Sequence, residues 1–310
     1  MLTRPHRAKR GLALSLVAVM SLAAPASAVA DQTDKAASPG AAGEPQDKPA
    51  AIRLVYDLYL AGLHLATMET TARLSAESYD ISNTGMTTGF ADSLVRARFE
   101  SRASGRFEAA GPKPLTYRNF SDTRFGVREL TMTRSLTGSF EVEAEPELEP
   151  QQAATIASGR ANGTIDPLTA SLYSALRPQA KACTEKVRVF DGRRVFDLAY
   201  SRVGPEVLEP GPNAVFAGET VKCHLRYVPR AGQSREWKLE ETRNPTPPAA
   251  LWMAVFERDG HADDLILPVR ASLDTNWGTA LVHLKSIEIG GTPITQAALS
   301  APAPDTAPRP

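Results

Sequence analysis

Several features that would assign an activity are missing from this sequence. There is no glycine-rich phosphate loop, no Gly-x-Ser-x-Gly elbow and no pair of histidines at helical spacing. Beyond the first few residues the histidines are His64, His224, His261 and His283, scattered and without a partner at metal-ligand spacing. Neither sign of charge dominates, with 35 basic and 35 acidic residues. No apolar run reaches membrane-spanning length; the longest is Gly11 to Ala23. With no catalytic set, metal site or cofactor motif to be read, the chain is expected to be non-enzymatic.

The short apolar run has a context. Arg4, Arg7, Lys9 and Arg10 precede it without an acid, and Ala24-Pro25-Ala26-Ser27-Ala28 follows, with Ala26 and Ala28 spaced as signal peptidase requires. This is the layout of a secretory signal, expected to be cut after Ala28, with Ala30 the close alternative. A retained membrane-anchoring helix is the competing reading, and the run is short for it. No cysteine near the cut offers a lipid anchor, and Lys9-Arg10 is not a twin-arginine pair. The expected location is the periplasm of a Gram-negative-type envelope. Removing residues 1–28 takes away four basic residues and leaves 31 against 35 acidic ones, a net charge of −4. A mildly acidic chain argues against a nucleic-acid partner and against electrostatic docking on anionic lipid.

There are only two cysteines, Cys183 and Cys223, both in the exported part. An even count in an oxidising compartment points to a disulfide, worth roughly 4 kcal/mol in the chain-entropy model. Two separate buried thiols are the alternative.

The domain organisation follows from composition. Residues 1–28 form the signal and 29–51 a linker of Ala, Pro, Gly, Gln, Asp and Lys with little to bury. Residues 52–291 form a β-rich domain, and 292–310 a Pro/Ala-rich tail expected to be disordered. Within the domain the dominant period is two. Leu54, Tyr56, Leu58 and Leu60 alternate up to Ala61-Gly62; Tyr79, Ile81 and Met86 belong to the next strand. Phe90 to Arg106 reads as a short helix followed by a strand, and Leu115 to Thr133 as a hairpin around Asp122–Gly126. The row Glu141, Glu143, Glu145, Glu147, Glu149 reads as the solvated face of an edge strand, where like charges deter pairing. A cation-binding row is the functional alternative.

Asp166-Pro167-Leu168 opens the clearest helix, with Asp166 as N-cap and Pro167 at the first helical position. Leu168, Leu172, Tyr173 and Leu176 then share a face, and Arg177-Pro178 closes it. Val187–Phe190 and Arg193–Phe196 flank Asp191-Gly192, a favoured two-residue hairpin loop that would set Val187 opposite Phe196 and Val189 opposite Arg194. Gly204 to Gly218 reads as a loop, Trp237 to Glu241 as a short strand, and Leu251–Phe256, Leu265–Leu273 and Ala280–Ile289 as closing strands. The fold expected is an antiparallel, strongly curved open sheet or half-barrel with one or two short helices packed on it. Asp259 to Asp264 has alternating oxygens but lacks a closing Glu, and reads as a polar turn rather than a calcium loop. The aromatics Tyr227, Trp237, Trp252 and Phe256 read as core, with the lining of an apolar groove as the alternative.

The order of four segments resembles a known family. Val55-Tyr56-Asp57-Leu58-Tyr59-Leu60-Ala61-Gly62-Leu63, then Asp166-Pro167-Leu168 before a helix, then Phe190-Asp191-Gly192-Arg193-Arg194 with Asp197-Leu198, and late Leu267-Pro268-Val269 are similar to an uncharacterised family of Gram-negative envelopes, domain of unknown function 3108. The resemblance spans nearly all of Ile52 to Gly291. It implies a predominantly β periplasmic protein and carries over no catalytic residue. By analogy of fold alone it also suggests a likeness to the half-barrel carriers that escort lipoproteins to the outer membrane. The Glu-rich strand and the Pro/Ala tails lie outside that pattern. The leading expectation is a non-enzymatic carrier of a lipid-like or other apolar ligand. The alternative is an envelope assembly factor that works through protein contacts, and a hydrolase ranks last.

Overall fold

The structure, a computed structural model, describes residues 50–94, 96–211, 216–257 and 264–294. The expected signal, all but the last two residues of the linker and nearly all of the tail lie outside the described residues, as does most of Asp259–Asp264; Ala50 and Ala51 are part of a strand, as are Thr292 and Pro293.

The period-two segments form one antiparallel sheet. Strands β1 (Ala50–Leu60), β2 (Leu63–Leu74) and β3 (Ser78–Thr87) lead through helix α1 (Gly89–Leu94) to β4 (Ala97–Glu108), β5 (Gly111–Thr123), β6 (Gly126–Arg134) and β7 (Phe140–Glu145). Helices α2 (Pro150–Ala157) and α3 (Pro167–Ala175) follow, then β8 (Lys186–Phe190), β9 (Val195–Leu208) and β10 (Gly218–Ala231). Helix α4 (Arg235–Arg243) precedes β11 (Ala249–Phe256), β12 (Leu265–Thr275), β13 (Gly278–Ile289) and a two-residue β14 (Thr292–Pro293). The strand order is β7-β6-β5-β4-β3-β2-β1-β13-β12-β11-β10-β9-β8, with β14 beside β13. The first and last thirds of the chain thus meet where β1 pairs with β13. The turn Ala61-Gly62 needs positive φ at both positions, and has it, at 48° and 84°.

The sheet is open in its hydrogen bonding, because β7 and β8 end it without pairing. Side chains close the gap. Phe140 of β7 meets Phe190 of β8 with ring centroids 5.7 Å apart. The β8–β9 turn sits on β6: a Cβ at Gly192 would stand 2.4 Å from the Leu130 side chain, so only glycine fits that approach. Ile165 bridges the outer edge of β8, accepting from Phe190 N at 2.9 Å and donating to Arg188 O at 3.2 Å. Next to it, Thr164 O accepts from Arg134 of β6 at 2.6 Å. Arg134 also donates to Pro114 O and Gly138 O, each at 3.0 Å, and lies over the Phe140 ring. Three carbonyls and a ring replace water around this half-buried cation, and burial lowers its pKa.

Four elements differ from expectation. The β8–β9 connection holds four residues, not two, so Val189 faces Phe196 and Val187 faces Leu198. The Asp191 carboxylate accepts from Arg193 N at 2.9 Å and Arg194 N at 2.6 Å, which builds a wider side-chain-capped turn. The shift is an even number of residues, so every side chain keeps its face. Trp237–Glu241 is helical within α4, because the Ser234 hydroxyl caps Trp237 N at 3.1 Å ahead of strong helix formers. Strand β9 runs through Gly204 and Pro205 to Leu208, where a loop was expected. The shorter β8 ends its pairing at Ala199, so Pro205 needs no ladder donor on that side. The glutamate row ends as a strand at Glu145; Glu147 and Glu149 belong to the lead-in of α2. The described residues contain four short α-helices, α1 to α4, and a 3-10 turn at Gln179–Lys181, where one or two short helices were expected. None of them is long and apolar enough to cross a membrane.

Candidate ligand cavity

Helix α3 is seated within the curl of the sheet, in contact with β3, β4, β5, β8 and β12. Its start is fixed by Asp166, as the sequence indicates. The carboxylate accepts from Leu168 N and Thr169 N at 2.9 Å and from the Thr169 hydroxyl at 2.5 Å. Thr169 in turn meets the Tyr79 hydroxyl at 2.9 Å, which ties the first turn to β3. Asp166 is fully buried, and burial outweighs these hydrogen bonds, pushing its pKa up to about 6.

The far end of the helical segment is tied covalently. Cys183 and Cys223 form a disulfide across 40 residues, with Cα atoms 5.9 Å apart. Cys223 lies on β10 opposite Leu251 of β11, and Leu251 lines the interior. The bond therefore joins the chain just after α3 to the inner wall of the sheet.

Between α3 and that wall lies a cavity of about 220 Å³. Its sheet side is apolar, formed by residues such as Ile52, Leu54, Met68, Ile81 and Leu251. Its helix side is formed by Pro167, Leu168, Ser171, Leu172, Ser174 and Ala175. Ser171, Ser174 and Ala175 are short beside the two leucines, and the space is not filled by the protein itself. Ser171 is both exposed and part of the lining, so the cavity communicates with the surface beside α3.

A few polar groups interrupt the apolar wall. Thr70, Asn83, Ser101 and Asn119 stand opposite one another across β2 to β5, one polar residue per strand. Asn83 Nδ2 donates to Thr70 Oγ1 at 2.6 Å, and Asn119 Nδ2 to Ser101 Oγ at 2.7 Å. Thr70 and Asn83 line the cavity, with Tyr56 and Tyr200. Burial raises the pKa of both tyrosines, so each is a neutral phenol at neutral pH. Tyr200 receives the Ser174 hydroxyl at 3.4 Å.

The charged clusters lie elsewhere. Asp197, fully buried, accepts from Arg188 at 3.0 Å and from Arg230 at 2.6 and 2.8 Å. Burial alone would raise its pKa, but the two guanidinium groups hold it below the usual carboxylate range. Asp57 is held low in the same way by Thr67 and Lys285, against its own burial. The aromatics Tyr227, Trp237, Trp252 and Phe256 do not line the cavity. Phe196, Tyr227 and Trp237 instead stack in series, with centroids 4.6 and 5.8 Å apart. The polar residues at the cavity were detectable in the sequence: in Tyr79, Ile81, Asn83 an amide occupies the third place of an apolar alternation.

The profile of a family described as a protein of unknown function, DUF3108, matches residues 55–285. The chain belongs to the DUF3108 family. The match runs from β1 to β13 and so covers both walls of the cavity, helix α3 and the disulfide. A search of curated proteins finds no match for this DUF3108 chain. Among solved structures, the chain is similar to a β-barrel-like protein of domain of unknown function DUF1849 from Brucella abortus. Identity is 11% and the TM-score 0.39, over 79% of this chain and 98% of the other.

Proposed function

We propose that this DUF3108 protein is an exported, non-enzymatic carrier that holds an apolar ligand in the cell envelope. The observation that carries the reading is the apolar cavity between α3 and the sheet, open beside Ser171 and left unfilled by α3. The interior of a folded domain is ordinarily close-packed, and a dry apolar space costs stability unless a guest fills it. At about 220 Å³ it is smaller than the roughly 300–1,000 Å³ of pockets for drug-sized ligands, so it suits a single chain rather than a two-chain lipid. The signal-like N-terminus supports export, and a disulfide is characteristic of an oxidising compartment. Assembly by strand addition has less support, because Ile165 occupies the outer edge of β8 and exposed glutamates line β7.

The test is extraction. Protein purified gently from periplasm, extracted with organic solvent and read by mass spectrometry, is expected to yield one apolar species near stoichiometric amount. Ser171→Phe, which places a ring at the mouth of the cavity, is expected to remove that species. An empty wild-type extract, repeated after incubation with envelope lipids, would overturn the reading.

A further inference from the structure

We propose that the cavity selects a neutral, single-chain amphiphile whose head donates a hydrogen bond, and that Asn83 is the residue that reads it. The inference rests on the cavity-binding reading above and adds the chemistry of the head group.

Asn83 is only 5% exposed, yet its Oδ1 has no hydrogen-bond partner. Its amide nitrogen is already engaged with Thr70. A buried carbonyl oxygen left unpaired costs on the order of 1–3 kcal/mol, and such groups are rare in folded proteins. Asn83 lines the cavity, so a donor on a guest can satisfy it there. The Tyr56 hydroxyl, on the same wall, also lacks a partner among the described residues and can accept or donate as the head requires. By contrast, the neighbouring amide in the polar row, Asn119, already donates to Ser101 and does not line the cavity. The unsatisfied acceptor therefore belongs to a side chain of the cavity wall.

The head is neutral because the one cation of the lining is engaged elsewhere. Arg270 is the one charged residue of the lining, but it stands opposite His283 and Trp252, with its guanidinium stacked on the Trp252 ring. The adjacent Ala271 pairs with Leu251 and Val282, which line the cavity, so alternation points Arg270 to the other face. A carboxylate entering the cavity would meet apolar groups and an acceptor oxygen.

The experiment compares octan-1-ol, the isosteric ether 1-methoxyheptane and octanoate by calorimetry on full-length mature protein stripped of bound lipid. Octanol is expected to bind about ten-fold or more tightly than the ether, which cannot donate, and octanoate more weakly than octanol at neutral pH. Asn83→Leu is expected to bring octanol down to the affinity of the ether while leaving the ether unchanged; Tyr56→Phe should produce a smaller loss in the same direction. Equal binding of alcohol and ether by wild type, or preference for octanoate, would overturn the head-group assignment and leave the carrier reading standing. Binding of none of the three would overturn the carrier reading itself. The wild-type comparison alone decides the matter if the Asn83 variant does not fold.

Discussion

Helix α3 meets two very different surfaces. Toward β3 to β5 it presents Thr169 and Tyr173: Thr169 is bonded to Tyr79, and the Tyr173 ring lies 3.3 Å from where a Cβ on Gly111 would be. Toward the sheet wall that carries Leu54, Met68 and Leu251 it presents Leu168 and Leu172 among the shorter Pro167, Ser171, Ser174 and Ala175, and a cavity remains. The seam beyond the first surface is solid as well, with Tyr117, Met132, Phe190 and Phe196 among the largest fully buried side chains. One helix thus packs solidly on one face and walls a cavity on the other. On the cavity side the short Ser171, Ser174 and Ala175 beside the two leucines leave the face underfilled.

That contrast can be broken from the outside inward. The largest effect is expected from Cys223→Ser, which frees the end of the α3 segment from the cavity wall. The chain-entropy model gives a loss of about 4 kcal/mol for a loop of this length. Urea unfolding in the absence of reductant should show it; an unchanged midpoint would mean that the seam alone holds the helix.

Arg134→Met attacks the solid side. It leaves the carbonyls of Pro114, Gly138 and Thr164 without their donor, at an expected cost of about 3 kcal/mol. Its guest content should be preserved, because Arg134 does not line the cavity. Loss of ligand with little loss of stability would show that seam and cavity are coupled.

Asp166 gives a pH signature. Its folded pKa of about 6 lies above the ordinary carboxylate value of 3.8, so folding favours the protonated acid. Its contribution to stability is complete below about pH 4 and is lost as pH rises through about 6, a change of about 3 kcal/mol. Asp57, Asp197 and Glu206 are shifted down, so their contributions are present above their unfolded values and disappear only as pH falls below them. His283, shifted down by burial, changes stability with the opposite sign in the Asp166 range, so the difference between wild type and Asp166→Asn isolates Asp166. Unfolding measured at half-unit steps from pH 4 to 7 should show a decline in wild type that Asp166→Asn removes. A pH profile that Asp166→Asn leaves unchanged would contradict the burial-driven shift. The smallest effect on stability belongs to Ser171→Phe: at an exposed position it should stay within about 0.5 kcal/mol while emptying the cavity.

Much of this was legible in the residues. Period-two alternation identified the strands, and Asp166-Pro167 marked the start of α3 at the position where the N-cap stands. The segments Asp166–Leu168, Phe190–Leu198 and Leu267–Val269 lie at helix α3, the closing seam and the cavity wall, so the resemblance rested on structurally central positions. What misled was local. Asp191-Gly192 reads as a two-residue loop, but the Asp191 carboxylate caps two amides and widens the turn. Trp237 to Glu241 offers one aromatic and an alternation too short to outweigh a capping serine three residues earlier. At the candidate site, the aromatics were the obvious residues to suspect, while Asn83 carried the signal as a polar interruption of an apolar face.

By itself, the sequence determined the strands, the capped helix and the two cysteines, because alternation, capping and cysteine count are local quantities. Which strands share an interior, that Arg134 and Thr164 close a seam, and that α3 leaves a cavity against β1, β2 and β11 were decided only by the tertiary structure. The reason is physical: a cavity is a deficit of volume among side chains far apart in the chain, and no local pattern records how much space their partners fill.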